Sequence, residues 1–250
     1  MDSKEFIANV RRALGRDSGG RDAGTPPTLP DVTHLSLNHQ QVESWAQAIS
    51  RGLEAHAEEY MAQLEKTAAE AGWRVARCVT AAQAANHIRN IVREVEAKSV
   101  LRSGHSALDA LNLEAALHDA GASLEAMVLT DGTDREMQRD AWRRKAISAD
   151  VGITGVDYAI AETGTAVLLG RKGVSRVVSL LPPVHIAVVE KGQVLPSLDE
   201  LFTLRRKEFL NDNLGSYMTL ISGPSRSADI ENTLVTGVHG PGEVHMVLVG

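Results

Sequence analysis

Five consecutive residues, Ala-Glu-Thr-Gly-Thr at 161–165, combine a carboxylate with two hydroxyl groups and a glycine. They stand between two short apolar runs, which predicts a tight turn joining two buried strands. Gly164 can adopt backbone angles forbidden to other residues, leaving the Thr163 and Thr165 hydroxyls free to meet an anion or a carbonyl. Glu162 is then a candidate for proton exchange or for attack on a carbonyl. The same residues could instead satisfy the hydrogen bonds of the turn, and both interpretations are open.

A second candidate site follows a proline that suits the approach to a helix. Residues 225–231 are expected to begin that helix, with free backbone N–H groups that bind anions. Ser225 and Arg226 stand at this start, and the planar guanidinium group suits a carboxylate or a phosphate. The alternative is that Arg226 forms a structural ion pair with Asp229 or Glu231.

The histidines and the single cysteine set limits on the chemistry. His239 lies in a loop between glycines, and its imidazole ring is a group suited to proton transfer. His185 lies inside an apolar strand and is interpreted as a core residue. His239, His245, Glu162 and Asp229 could be considered as metal ligands, but no pair among them has the spacing of ligands on one helix, so a metal is not predicted. Cys78 is the only cysteine, which excludes an internal disulfide and a cluster built from thiolates of this chain. Residues 170–173 lack the dinucleotide-binding pattern, so no cofactor is expected.

Composition narrows the class of protein. The chain has 250 residues, of which 43% are hydrophobic, enough for a sizeable core. Lys and Arg total 26 against 32 Asp and Glu, a net charge of −6, so nucleic acid is not an expected partner. The apolar runs are too short for a membrane span, and the first residues do not resemble a signal peptide. A cytoplasmic protein is expected.

The chain divides into a short leading segment and one large domain. Apolar residues at helical spacing predict a helix near residues 5–14, followed by a tether rich in Gly and Pro over 16–30. Residues 1–35 are therefore expected to be a helix with a flexible linker, and residues 36–250 an α/β domain.

Strand and helix patterns alternate in the first half of this domain. The sequences Thr80–Gln83 and Ser197–Glu200 are capping boxes that predict helix starts. The apolar strand at 99–101 ends in Arg-Ser-Gly-His-Ser at 102–106, and open α/β sheets bind ligands at strand ends of this kind. The alternation predicts a Rossmann-like, open, mainly parallel sheet with helices on both faces.

Five motifs in this order carry a resemblance to a known family. They are Gly-Ile-Thr at 152–154, Ala-Glu-Thr-Gly-Thr at 161–165, Leu-Pro-Pro-Val-His-Ile at 181–186, Ser-Gly-Pro-Ser-Arg at 222–226 with Ala-Asp-Ile-Glu at 228–231, and Gly-Val-His-Gly-Pro at 237–241. Together they resemble the LUD-domain family, of the lactate-utilisation protein C type, over roughly residues 70–250. The resemblance implies a fold similar to glucosamine-phosphate deaminase, ribose-phosphate isomerase and the CoA transferases.

The resemblance also implies a function. It indicates a non-redox subunit that supports oxidation of L-lactate to pyruvate beside two iron–sulfur partner proteins, which would hold the clusters. The alternative is a free-standing enzyme that uses acid–base or acyl-transfer chemistry on a small anionic metabolite. The site in either case would gather the turn at 162–165, Ser225, Arg226 and His239.

Overall fold

The computed structural model of the chain describes residues 37–128, 135–170, 176–211, 215, 217–228 and 234–250. The helices are α1 (His39–Ala71), α2 (Ala81–Glu94), α3 (Leu113–His118), α4 (Arg135–Ser148), α5 (Val177–Leu180) and α6 (Leu198–Leu210). The strands are β1 (Arg74–Cys78), β2 (Ser99–Ser103), β3 (Ser123–Met127), β4 (Val151–Gly155), β5 (Tyr158–Ile160), β6 (Thr165–Leu169), β7 (Val184–Glu190), β8 (Val194–Leu195), β9 (Met218–Ile221), β10 (Arg226–Ala228), β11 (Leu234–Thr236) and β12 (Glu243–Val249). The leading helix and linker predicted for residues 1–35 lie outside the described residues.

A six-stranded sheet forms the centre of the domain, in the order β1-β12-β7-β4-β2-β3. Every neighbouring pair in this sheet is parallel. Nearly all residues of β4, β7 and β12 are buried, as their continuous apolar sequences require of strands covered on both faces. The predicted α/β fold with a mainly parallel sheet is therefore confirmed.

Helices cover both faces of the sheet. On one face, α2 and α3 bury residues such as Ile88 and Leu117 against Val100, Ile153 and Ile186 of the strands. On the other face, α1 packs over β7 and β12, while α4 and α5 pack over β2. No described helix combines the length and the apolar character needed to cross a membrane.

The predicted turn at 161–165 joins β5 and β6, which pair antiparallel as expected. These two strands lie in a separate four-stranded sheet of order β8-β5-β6-β9. Since β5 starts three residues after β4 ends, the chain passes directly from the large sheet into the small one. The carboxyl end of β4 therefore lies where the two sheets meet.

The prediction that a helix begins at Ser225 is wrong. Residues Arg226–Ala228 form the strand β10, which pairs antiparallel with β11. The backbone N–H of Ser225 donates to the carbonyl of Pro241 at 2.9 Å, and its carbonyl accepts from the N–H of Gly237 at 3.0 Å. These long-range bonds favour the extended backbone, and they use an N–H group that a helix start would leave for an anion.

Candidate functional site

Glu162 contacts the start of a helix. Its side chain is exposed, and its Oε1 accepts a hydrogen bond from the backbone N–H of Leu198 at 2.9 Å. Leu198 is the first residue of α6, where unpaired N–H groups and the positive end of the helix dipole favour a carboxylate. Glu162 thus has a structural partner, and its predicted catalytic role stays a prediction.

The remaining turn residues bond and pack within the protein. The Oγ1 atoms of Thr163 and Thr165 lie 2.7 Å apart, and Thr165 Oγ1 lies 2.7 Å from Ser222 Oγ. Gly164 has a φ of +64°, and a Cβ atom there would lie 2.5 Å from the Cα of Ala68 in α1. Only glycine allows the turn to approach the helix backbone this closely. The predicted ligand contacts of Thr163, Gly164 and Thr165 remain untested.

Arg226 contacts the carboxyl-terminal end of α1. Its Nη2 donates a hydrogen bond to the backbone carbonyl of Ala71 at 2.9 Å, so the guanidinium group satisfies a carbonyl that the helix end leaves unpaired. The alternative partners Asp229 and Glu231 lie outside the described residues. The guanidinium group therefore has a structural function in addition to any ligand it binds.

His239 and Ser225 belong to neighbouring segments. The two backbone bonds of Ser225 to Pro241 and Gly237 hold it against the loop that carries His239. The His239 side chain is exposed. The structure thus brings Ser225 beside the His239 loop, and it brings the 161–165 turn and Arg226 to the last turns of α1.

A different place in the fold has the geometry of a ligand site. The strands β2 and β4 are neighbours, yet the chain leaves β2 towards β3 on one side and leaves β4 towards β7 on the other. Connections that diverge in this way open a crevice at the carboxyl ends of the two strands, and open α/β sheets bind ligands there. The segment 102–106, which the sequence indicated as a strand end of this kind, stands at this point.

His105 and Asp157 face each other at these strand ends. His105 Nε2 lies 3.7 Å from Asp157 Oδ1, and the two side chains are only 4% and 5% exposed. Asp157 Oδ2 accepts a hydrogen bond from the backbone N–H of Leu169 at 2.7 Å. A Cβ atom on Gly155 would lie 2.5 Å from His105 Nδ1, so the glycine at the end of β4 allows the ring to lie there. The hydrogen bond from Leu169 thus holds Asp157 in place, and the close approach to Gly155 sets the position of the His105 ring.

The pair places an imidazole ring beside a carboxylate at the carboxyl ends of the strands, where open α/β sheets bind ligands. Such a pair can hold an oxygen atom or move a proton. The sequence indicated residues 102–106 as a strand end of the kind where open α/β sheets bind ligands, but the predicted site did not include this segment or Asp157. A carboxylate directly after a buried strand was the available signal.

His185 is buried in the core, as its apolar surroundings predicted. Its Nε2 lies 2.9 Å from Thr154 Oγ1, and its ring contacts that of Trp73 at a centroid distance of 6.0 Å. Burial, together with the nearby charge of His245, lowers the pKa of His185 to about 3. The ring is therefore neutral near pH 7, which suits a structural role.

Metal ligands are not grouped in the part of the chain that the structure describes. No set of three or more His, Cys, Asp or Glu side chains comes together there. The described residues therefore do not form a metal-binding site of this kind.

Lactate utilization proteins from other organisms are similar to this chain in sequence. Lactate utilization protein C from Halalkalibacterium halodurans is 39% identical over 155 residues, which are 62% of this chain and 64% of that protein. Lactate utilization protein B from a Geobacillus species is 28% identical over 235 residues, which are 76% of this chain and 48% of that protein. The chain therefore covers less than two thirds of the length of these relatives.

A solved structure shares the fold. The crystal structure of a DUF162 family protein from Deinococcus radiodurans matches with a TM-score of 0.50 and 20% sequence identity, over 78% of this chain and 98% of that one. The model of the LUD domain family matches residues 61–249, which include the six-stranded sheet and the His105–Asp157 pair. The chain belongs to the LUD-domain family.

Proposed function

We propose that the chain acts in lactate utilisation, as a non-redox subunit that supports the oxidation of L-lactate to pyruvate. The observation that carries the proposal is its similarity to relatives named lactate utilization protein C and lactate utilization protein B. In this proposal the chain works in the cytoplasm with two iron–sulfur proteins, and those partners carry the electrons.

The cysteine content supports a non-redox role. Iron–sulfur clusters are held by several thiolates, and this chain has one cysteine, Cys78. Cys78 is buried at the end of β1, and burial raises the pKa of its thiol. Because the thiolate is the form that binds metals, this cysteine is a poor ligand even for a cluster shared with a partner.

A free-standing acid–base or acyl-transfer enzyme for a small anionic metabolite is the second candidate. The His105–Asp157 pair at the carboxyl ends of β2 and β4 favours it, because a histidine beside a carboxylate is a common acid–base combination. The two candidates differ in a simple test. A free-standing enzyme would turn over its metabolite alone, whereas the subunit would require the iron–sulfur proteins.

The proposal is tested by growth after removal of the gene. A strain that lacks it should fail to grow on L-lactate but should grow on pyruvate, and the intact gene should restore growth on L-lactate. Normal growth of the deletion strain on L-lactate would overturn the proposal. Genes encoding Glu162→Gln, Arg226→Lys and His239→Gln variants would then test the predicted site residues, with melting temperatures to identify unfolded variants.

A further inference from the structure

The helix α4 has one covered face and one exposed face. On the covered face, Trp142 and Ala146 pack in a cluster with Leu101 of β2. The exposed face carries two large apolar side chains, Met137 at 72% exposure and Ile147 at 62%. Single apolar residues are common on protein surfaces, so the arrangement of this face as a whole is more informative than either residue alone.

Four exposed residues form a stripe along this face, which we call the α4 stripe. Its members are Met137, Asp140, Arg144 and Ile147. They stand at positions i, i+3, i+7 and i+10, the spacing at which side chains line up as the seam between two helices of a coiled coil. Along the helix the stripe is therefore apolar, negative, positive and apolar.

The α4 stripe is complementary to itself when it is reversed. The positions of Met137 and Ile147 are centred on residue 142, and so are those of Asp140 and Arg144. A second α4 that runs antiparallel, with a two-fold axis beside residue 142, places Ile147 of the copy opposite Met137. The same arrangement places Arg144 of the copy opposite Asp140. Each contact then occurs twice, as in the interfaces of two-fold symmetric dimers.

We propose that the α4 stripe binds the α4 stripe of a second copy of this chain, antiparallel, to form a homodimer. The charges favour this partner, because a uniformly acidic or basic surface would repel either Asp140 or Arg144, whereas the reversed stripe matches both. A parallel arrangement would place Asp140 opposite its own copy. The apolar pairs at the two ends remove Met137 and Ile147 from water. The dimer does not depend on the proposed function in lactate utilisation.

The length of the stripe sets the expected strength of the dimer. From Met137 to Ile147 the seam is about 15 Å long, at a rise of about 1.5 Å per residue. Stable interfaces bury about 1,600 Å² in total, so a seam of this length is expected to give a weak and reversible dimer. Sedimentation equilibrium of the full chain measures the dissociation constant. A chain that is still monomeric at about 1 mM would overturn the proposal.

Charge reversal tests the central pair. Asp140→Arg places two positive charges opposite each other, and Arg144→Asp places two negative charges opposite each other. Each variant should raise the dissociation constant of the dimer about tenfold or more, because like charges replace both attractive pairs. Glu54→Arg and Arg51→Asp make the same changes in net charge at exposed positions of α1, and they should self-associate like the parent chain. Unchanged dissociation constants in both α4 variants would overturn the proposal.

A mixture of the two charge-reversal variants tests the antiparallel arrangement. In a mixed dimer, the arginine of Asp140→Arg faces the aspartate of Arg144→Asp, and the native Arg144 of the first chain faces the native Asp140 of the second. The mixture should therefore associate about as tightly as the parent chain, although each variant alone associates weakly. The double variant Asp140→Arg/Arg144→Asp should also regain self-association. If the melting temperatures show folded chains and neither the mixture nor the double variant associates, the proposal is wrong.

Truncation of the apolar ends tests the rest of the stripe. Met137→Ala and Ile147→Ala should each raise the dissociation constant about tenfold, because each residue takes part in two symmetric contacts. Their melting temperatures as monomers should stay unchanged, since both side chains are mostly exposed. Phe202→Ala on α6 is the matched control, because Phe202 is also an exposed apolar residue of a helix, at 53% exposure. If only Phe202→Ala weakens the dimer, the interface lies on α6 and the proposal is wrong.

Discussion

Gly164 gives a quantitative test of the turn between β5 and β6. The substitution Gly164→Ala adds a methyl group to a residue with a φ of +64°, a conformation that costs a non-glycine residue about 1 kcal/mol. The new Cβ would also lie 2.5 Å from both the Cα and the backbone nitrogen of Ala68. Because these are helix backbone atoms, the turn must move, at a further cost of about 2 kcal/mol. The expected loss in free energy of unfolding is about 3 kcal/mol.

Two other glycines serve as matched controls for the same substitution. Gly121 has a φ of +72° but no atom within 4 Å of its added Cβ, so Gly121→Ala should cost only about 1 kcal/mol. Gly52 lies inside α1 with open space around its Cβ, so Gly52→Ala should stabilise the chain by about 0.5–1 kcal/mol.

Urea unfolding, followed by circular dichroism, measures the free energy of unfolding of all three variants. Thermal unfolding measures their melting temperatures. For a chain of this size, a loss of 3 kcal/mol in Gly164→Ala should lower the melting temperature by roughly 6–12 °C. If Gly164→Ala is destabilised no more than Gly121→Ala, the turn does not pack against α1 as described.

Three further predictions concern Arg226, His185 and the first residues of the chain. Arg226→Gln removes the bond to the Ala71 carbonyl and should lower the free energy of unfolding in urea by about 1 kcal/mol; unchanged stability would show that this bond does not stabilise the fold. The pKa of His185 is about 3 in the folded chain and 6.5 ordinarily, so the unfolded chain binds the proton first as pH falls. Between those values His185 should remove about 1.4 kcal/mol of stability per pH unit, and His185→Gln should give a shallower loss in urea unfolding across this range. Deleting residues 1–35 should leave the melting temperature unchanged, and a steep drop would show that the segment belongs to the core.

Local patterns predicted the elements of the domain well. The capping box Ser197–Glu200 is formed at the start of α6, and Thr80 accepts from the Gln83 N–H at the start of α2. The alternation of strands and helices predicted the parallel sheet, and the continuous apolar sequence of β7 is typical of a strand that is buried on both faces. The helix predicted from Ser225 failed because pairing with β11 and the bond to Pro241 outweigh the local preference that follows a proline.

The candidate site was harder to predict because its contacts join distant residues. Glu162 meets the N–H of Leu198, and Arg226 meets the carbonyl of Ala71, 155 residues earlier in the chain. Neither partner can be identified from spacing alone. The positions of His105 and Asp157 depend on β2 and β4 being neighbours, which strand order in the sheet decides and local sequence does not.

The most direct test of the proposed function is reconstitution from purified proteins. L-lactate-dependent reduction of an electron-accepting dye would be measured with this chain, with the two iron–sulfur proteins, and with all three together. We expect activity only from the complete mixture, with iron and acid-labile sulfide in the partners and none in this chain. Dye reduction by this chain alone, or full activity of the two iron–sulfur proteins without it, would contradict the account.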